Sequence, residues 1–317
     1  MGFEQDRLNE RLLLASALVN WPHFMASYRL LYRSREQVLE HRFAAITFPM
    51  LLAVGGVVIV VASAWSTAPL EVAALLTSAY LAWHYTGQAF GMVIAFGHVE
   101  GRPLEDAERW PIRAALRLLL AFHVSWLHYL FPPGAFPPWL VEAWQLGYQG
   151  MTWLMPVAIG LGALGLLRYA RRIGKLPPVR VVVPLVAIYL WYALLAVEPG
   201  ALIIVQLFHA MQYLVFPLRV EANLYATSST ASAGRRGVGR HLAFYAVALV
   251  ASGVVVLLLL PMFLESIVLS LWSLAVPATA AGVMVQIFVN VHHYLTDATV
   301  WKQSDPRVRR SLFGHLV

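Results

Sequence analysis

Residues 44–66 read AAITFPMLLAVGGVVIVVASAWS, with no charged side chain along the run. About 20 consecutive apolar residues are what an α-helix needs to cross the hydrocarbon core of a bilayer, so this stretch predicts a membrane span. A second apolar run, 69–97, follows after a join from Ser66 to Pro69 that leaves room only for a tight turn. Working outward, further spans are expected at 113–131, 150–168, 181–197, 201–218, 241–264 and 270–296. The expected fold is therefore all-α, a polytopic transmembrane helical bundle of about eight spans. Its expected division is 1–43 as N-terminal interfacial helices, 44–300 as the transmembrane helical domain and 301–317 as a cytoplasmic tail.

Composition agrees. The 317 residues are 60% hydrophobic and 12% charged, against about 25% charged in ordinary soluble domains. The net charge of +7 comes from Lys and Arg beside apolar runs, where membrane topology explains them and nucleic-acid binding is not expected. Basic residues cluster at Arg29 to Arg42, Arg102 to Arg113, Arg168 to Arg180, Arg219 to Arg240 and Lys302 to Arg310, whereas 67–68, 132–149, 198–200 and 265–269 contain none. By the positive-inside rule both termini are expected on the cytoplasmic side, of a bacterial inner membrane. No cleavable leader is expected from MGFEQDRLNERLLL, which mixes both signs of charge. In residues 8–34, Pro22 fits a helix start better than a helix interior, so two short helical pieces are expected there.

There are no cysteines, so a metal site would have to use His, carboxylate, amide or phenol ligands. Ionisable groups deep in a span cost about 2.5–3.5 kcal/mol on insertion scales and require a reason. His84, His123 and His209 fall within expected spans, His292 and His293 at the cytoplasmic end of the last, and His23 in NWPHFMASY is expected near the same side. Gln88 follows His84 by four residues, Tyr213 follows His209 by four, and Asp297 follows His293 by four, a spacing that puts each pair on one helix face. Imidazoles that bind metal need partners for their second ring nitrogen, and several His with one carboxylate suit a non-haem iron site. His23, His84, His209, His292, His293 and Asp297 are the expected metal ligands. Tyr85, Gln88 and Tyr213 are candidate catalytic residues. A hydrogen-bonded structural network, or ligation of haem, another metal or a pigment, are the competing roles for the same histidines.

Four islands carry a family resemblance: Pro22-His23, HYTGQAFG around His84, FHAMQY around His209, and HHYLTD from His292. Together they resemble the bacterial β-carotene dioxygenases of the bacteriorhodopsin-related protein type. The ending HHY-x-x-D-x-x-W-K, met here by His292, His293, Tyr294, Asp297, Trp301 and Lys302, is similar to that of other multi-span bacterial membrane proteins. The dioxygenase resemblance implies non-haem iron on intramembrane histidines and oxidative cleavage of a carotenoid double bond. It implies His23, His84, His209 and His292 or His293 as ligands. Pro22-His23-Phe24 departs from the early His-Gly-x-x-Asp-His-like motif of that family. The expected function is thus a metal-dependent oxidoreductase or oxygenase, embedded in the lipid bilayer, with a hydrophobic small-molecule substrate such as a carotenoid or other isoprenoid. A non-catalytic haem- or pigment-ligating subunit of a larger membrane complex, and a transporter, are the alternatives.

Overall fold

The computed structural model describes residues 11–130, 134, 136–198, 201–227, 234–302, 305, 306 and 308. Among them the secondary structure is helical, with no strand. The helices are α1 (Trp21–Leu31), α2 (Arg35–Glu40), α3 (Phe48–Ala62), α4 (Ala68–Val99), α5 (Asp106–Leu130), α6 (Pro138–Ile173), α7 (Val179–Val197), α8 (Leu202–Thr227), α9 (Gly234–Val254), α10 (Leu260–Trp272) and α11 (Ala275–Val300). Six stretches among the described residues are long and apolar enough to cross a membrane: Phe43–Ala62, Pro138–Ile173, Val179–Val197, Leu202–Ala226, Arg236–Trp272 and Ala275–Val300. The helices α4 and α5, expected as spans, are not among them. Glu71, His84, Gln88 and His98 on α4, and Asp106, Glu108, Arg109, Arg113 and Arg117 on α5, dilute their apolar character.

Several boundaries differ from those read in the sequence, and proline chemistry accounts for most of them. Pro22 and Pro261 each follow a wide π-type turn, Ser16–Asn20 and Val255–Leu259, which carries the helix past the proline instead of ending it. The expected break at 265–269 is therefore helical. The chain turns instead at Ser273, which takes the left-handed conformation (φ 54°) and closes α10. Pro138 starts α6 from its first turn, so this helix begins well before the expected residue 150 and runs on through Pro156 to Gly174 at φ 68°. Part of the Pro-rich segment 131–140 lies outside the described residues.

Contacts divide the chain into two compact units, Met1–Ser66 with Gly200–Val317, and Thr67–Pro199. In the first unit α1 packs on α8, α9 and α11, while α11 packs on α3 and α10. Its core joins Trp21, Phe24 and Met25 to Tyr213, Tyr245, Leu249, Leu257, Val285 and Val289. Gly253 permits the approach of α1 to α9, because a Cβ there would stand 2.8 Å from Cβ of Trp21.

In the second unit α4 packs on α5 and α7, and α5 pairs with α6. The α5–α6 crossing is equally close: a Cβ on Gly165 would lie 2.8 Å from the Glu108 carbonyl oxygen. Buried Glu108 accepts from Arg172 Nε at 2.6 Å and from the Glu105 backbone N–H at 2.8 Å, and Arg172 also donates to the Pro103 carbonyl at 2.7 Å. These bonds pin the connection between α4 and α5 to the end of α6.

Candidate metal centre

Within the first unit, three helices each present a histidine followed one turn later by an oxygen-bearing side chain. They are His23 and Ser27 on α1, His209 and Tyr213 on α8, and His293 and Asp297 on α11. A four-residue step repeats the same helix face after about 6 Å of rise. The three helices thus stack two layers, imidazoles in one and oxygens in the next. Every member is buried, from fully enclosed Ser27 and His293 to Asp297 at 7% exposure.

In the imidazole layer, His23 Nδ1 lies 2.7 Å from the Asn20 carbonyl oxygen. A carbonyl only accepts, so Nδ1 carries the hydrogen. Burial pushes the His23 imidazole down to about 4, so the ring is neutral at neutral pH and Nε2 keeps its lone pair. That Nε2 stands 2.9 Å from Nε2 of His293. The two rings are perpendicular with centroids 4.5 Å apart, and the His209 ring is perpendicular to His23 at 5.3 Å. Phe24 closes one side against His293, with ring centroids at 4.8 Å.

The oxygen layer is a hydrogen-bonded set converging on one carboxylate. Asp297 Oδ1 accepts from Ser27 Oγ and from Tyr213 OH, each at 2.7 Å, and Trp301 Nε1 donates to the Tyr213 oxygen at 2.7 Å. Ser27 and Tyr213 are themselves 2.5 Å apart. The second carboxylate oxygen, Oδ2, is 3.4 Å from His293 Nε2. A buried carboxylate with a neighbouring imidazole favours positive charge between them, since charges in a low-dielectric interior interact strongly.

The arrangement fits a cation. The buried ring nitrogens of His23 and His293 lie within 4.8 Å of one another, a spacing that could hold a metal ion. With metal–nitrogen bonds of about 2.0–2.1 Å, two ligands at right angles stand about 2.9 Å apart, the separation found. The Asn20 carbonyl on His23 Nδ1 fixes the free ring N–H, as ligating imidazoles require. The same 2.9 Å also suits an N–H···N bond donated by His293, the structural alternative.

His292 faces away from its neighbour: Nε2 donates to the Ala44 carbonyl at 2.8 Å, and its ring stacks on Tyr28 at 5.1 Å. His84, Tyr85 and Gln88 belong to α4 in the second unit. His84 and Tyr85 are buried there, and both amide atoms of Gln88 are enclosed without a hydrogen-bond partner among the described residues. In that unit His123 Nδ1 is 2.6 Å from Tyr192 OH, and His128 Nδ1 donates to the Val124 carbonyl, so the two rings have different partners.

Two residues of the site were not expected. Ser27 follows His23 by the same four-residue step as the pairs that were recognised, so the spacing rule would have found it. Trp301, quoted only as part of the terminal motif, donates to the Tyr213 hydroxyl oxygen. No sequence spacing announces that contact, because it depends on how α11 ends beside α8. No family model, curated protein or solved structure matches the chain.

Proposed function

We propose that this protein is a membrane-embedded, metal-dependent oxidoreductase, of the oxygenase kind, acting on a hydrophobic substrate such as a carotenoid or another isoprenoid. The observation that carries the proposal is the meeting of the His23 and His293 Nε2 atoms at 2.9 Å, with the His209 ring beside them and a buried carboxylate one turn away. Several imidazoles with one carboxylate are the donor set of non-haem iron sites, and iron is the proposed metal. Such a metal supplies activation of O₂.

The chain's own residues would do the rest. His23, His209 and His293 are the proposed ligands in the first unit. Asp297 balances the metal charge and orients His293. Ser27 and Tyr213 hold Oδ1 of Asp297, which leaves Oδ2 turned to the imidazole layer. The burial of all these groups excludes bulk water from the centre. The further proposal of about eight spans with cytoplasmic termini in a bacterial inner membrane rests on the separation of basic from Lys- and Arg-free connections, to which the turn at Ser273–Leu274 also conforms.

The experiment is elemental analysis of purified protein together with O₂ uptake in the presence of carotenoid or isoprenoid substrates. Near-stoichiometric iron and substrate-dependent O₂ uptake are expected. Absence of iron, manganese, zinc and copper, persisting after reconstitution, overturns the proposal, and a Soret band from bound haem would replace it with a pigment-ligating role.

A further inference from the structure

An apolar cavity of about 750 Å³ lies in the first unit between α3, α10 and α11. Its walls come from regular helix faces: Leu52, Gly56 and Val60 on α3, and Leu260, Leu264 and Val268 on α10, spaced by four residues as one face of a helix requires. Its axis follows from two contacts. His292 on α11 bonds to the Ala44 carbonyl just before α3, and Gly56, further along α3, lies against Met284 on α11. The groove therefore runs from Tyr28, Tyr32, Pro49 and His292 at one end to Val61, Trp272 and Ala281 at the other. From His292 to Ala281 the rise along α11 is about 17 Å.

The first end holds two tyrosine hydroxyls and an imidazole, and the far end only the Trp272 indole N–H. Tyr28 OH donates to the Val289 carbonyl at 2.9 Å and Tyr32 OH to the Ala45 carbonyl at 2.8 Å, so both hydroxyl protons are committed. The His292 bond to Ala44 O fixes the hydrogen on Nε2, which leaves Nδ1 as an acceptor. A small apolar-walled pocket with one oriented polar group is the usual form of a ligand site. The end can accept a hydrogen bond and offers no spare donor.

We propose that the groove binds one long-chain alcohol, its chain lying along α3, α10 and α11 and its hydroxyl donating to His292 Nδ1. The chain length matches the groove, and a terminal hydroxyl supplies the donor that the polar end lacks. This site is separate from the metal centre. Tyr28 and His292 are each one residue, about 100° of helix rotation, from Ser27 and His293, so α1 and α11 turn one face to each site. The inference does not depend on a metal being present.

The test uses the full chain in lipid nanodiscs, photolabelled with a diazirine-bearing hexadecanol and mapped by peptide mass spectrometry. Label is expected on the groove faces of α3, α10 and α11. Hexadecanol and the isoprenoid alcohol geranylgeraniol distinguish straight from branched chains as competitors, and hexadecyl methyl ether controls for the hydroxyl. An alcohol should compete roughly three- to tenfold better than the ether, the value of one net hydrogen bond. His292→Phe should erase that difference, and Gly56→Leu, which fills the groove, should remove the label. Equal competition by alcohol and ether on the wild-type protein overturns the proposal. So does label spread over exposed Val54 and Val58 on α3 and insensitive to Gly56→Leu, the pattern of an ordinary lipid-facing seam.

Discussion

Ser27 and Asp297, 270 residues apart in the chain, share a 2.7 Å hydrogen bond in which the serine hydroxyl donates to Oδ1. That bond ties α1 to α11 directly beneath the imidazoles of His23 and His293. It makes the helix through Pro22 part of the proposed centre although that helix is not among the six stretches long and apolar enough to cross a membrane.

Removal of one donor to this carboxylate should therefore weaken metal binding before it unfolds the protein. Tyr213→Phe deletes the second bond to Asp297 and the acceptor of Trp301 Nε1, and is expected to cost about 1–3 kcal/mol of stability. Metal affinity should fall roughly 10- to 100-fold, as for other outer-shell partners of a metal ligand. Thermal unfolding in detergent and metal-competition titration measure the two effects. Unchanged metal affinity with lowered stability would reduce Tyr213 to a packing role.

Asp297→Asn keeps the shape and removes the charge. An amide nitrogen set against the Ser27 or Tyr213 hydroxyl would lose an acceptor, and the balancing negative charge would be gone. A larger loss of metal affinity than in Tyr213→Phe is expected, with the purified variant still folded by circular dichroism. Retention of wild-type affinity would show that the carboxylate takes no part in holding a cation.

The close approach of α1 to α9 rests on Gly253. Gly253→Val would drive a branched side chain into Trp21, whose Cβ already stands 2.8 Å from where a Cβ would be. Overpacking of this kind costs about 1–3 kcal/mol, and because His23 is two residues from Trp21 the metal content should fall as well. Differential scanning of Gly253→Val against wild type checks the stability, and equal melting temperatures would contradict the packing argument.

In the second unit Arg172→Met would leave the Glu108 carboxylate buried with only the Glu105 N–H. A fully buried pair broken this way costs about 3–5 kcal/mol. Arg172 is about a third exposed, so about 2 kcal/mol is expected, and Glu108→Gln with Arg172→Met together should recover part of it. A double-mutant cycle of denaturation free energies measures the coupling, and additive effects would mean that the pair contributes nothing.

How much of this was legible follows physical lines. Helical character and the apolar runs were readable because they depend on composition along one segment, as in 44–66. The pairs His209–Tyr213 and His293–Asp297 were readable because four-residue spacing is a local property. His292 and His293 could not be separated by sequence, since adjacent residues look alike until the packing of α11 against α1 and α3 turns one ring to Ala44 O and the other to His23. The turn at Ser273 was displaced from the polar Glu265-Ser266 because a π-type turn at Val255–Leu259 absorbed Pro261, and no residue in VVLLL announces such a turn. Span number was read from the apolar runs and tested by charge placement, yet α4 and α5 carry enough polar groups to fall outside the six apolar candidates.

The absence of native cysteine gives a clean topology test. Single cysteines at Arg102 and Lys175 should both be labelled by an impermeant maleimide from the cytoplasmic side only, and one at Ser273 from the opposite side only. Labelling of Arg102 and Lys175 from opposite sides would contradict the eight-span proposal.

The most direct test of the central claim is the iron content of purified wild-type protein beside His23→Ala, His293→Ala and His292→Ala. The wild type and His292→Ala are expected to hold near-stoichiometric iron, because His292 Nε2 is committed to the Ala44 carbonyl, whereas His23→Ala and His293→Ala should retain little. Iron kept by both of the latter variants, or absent from the wild type after reconstitution, would contradict a metal at the meeting of His23 and His293.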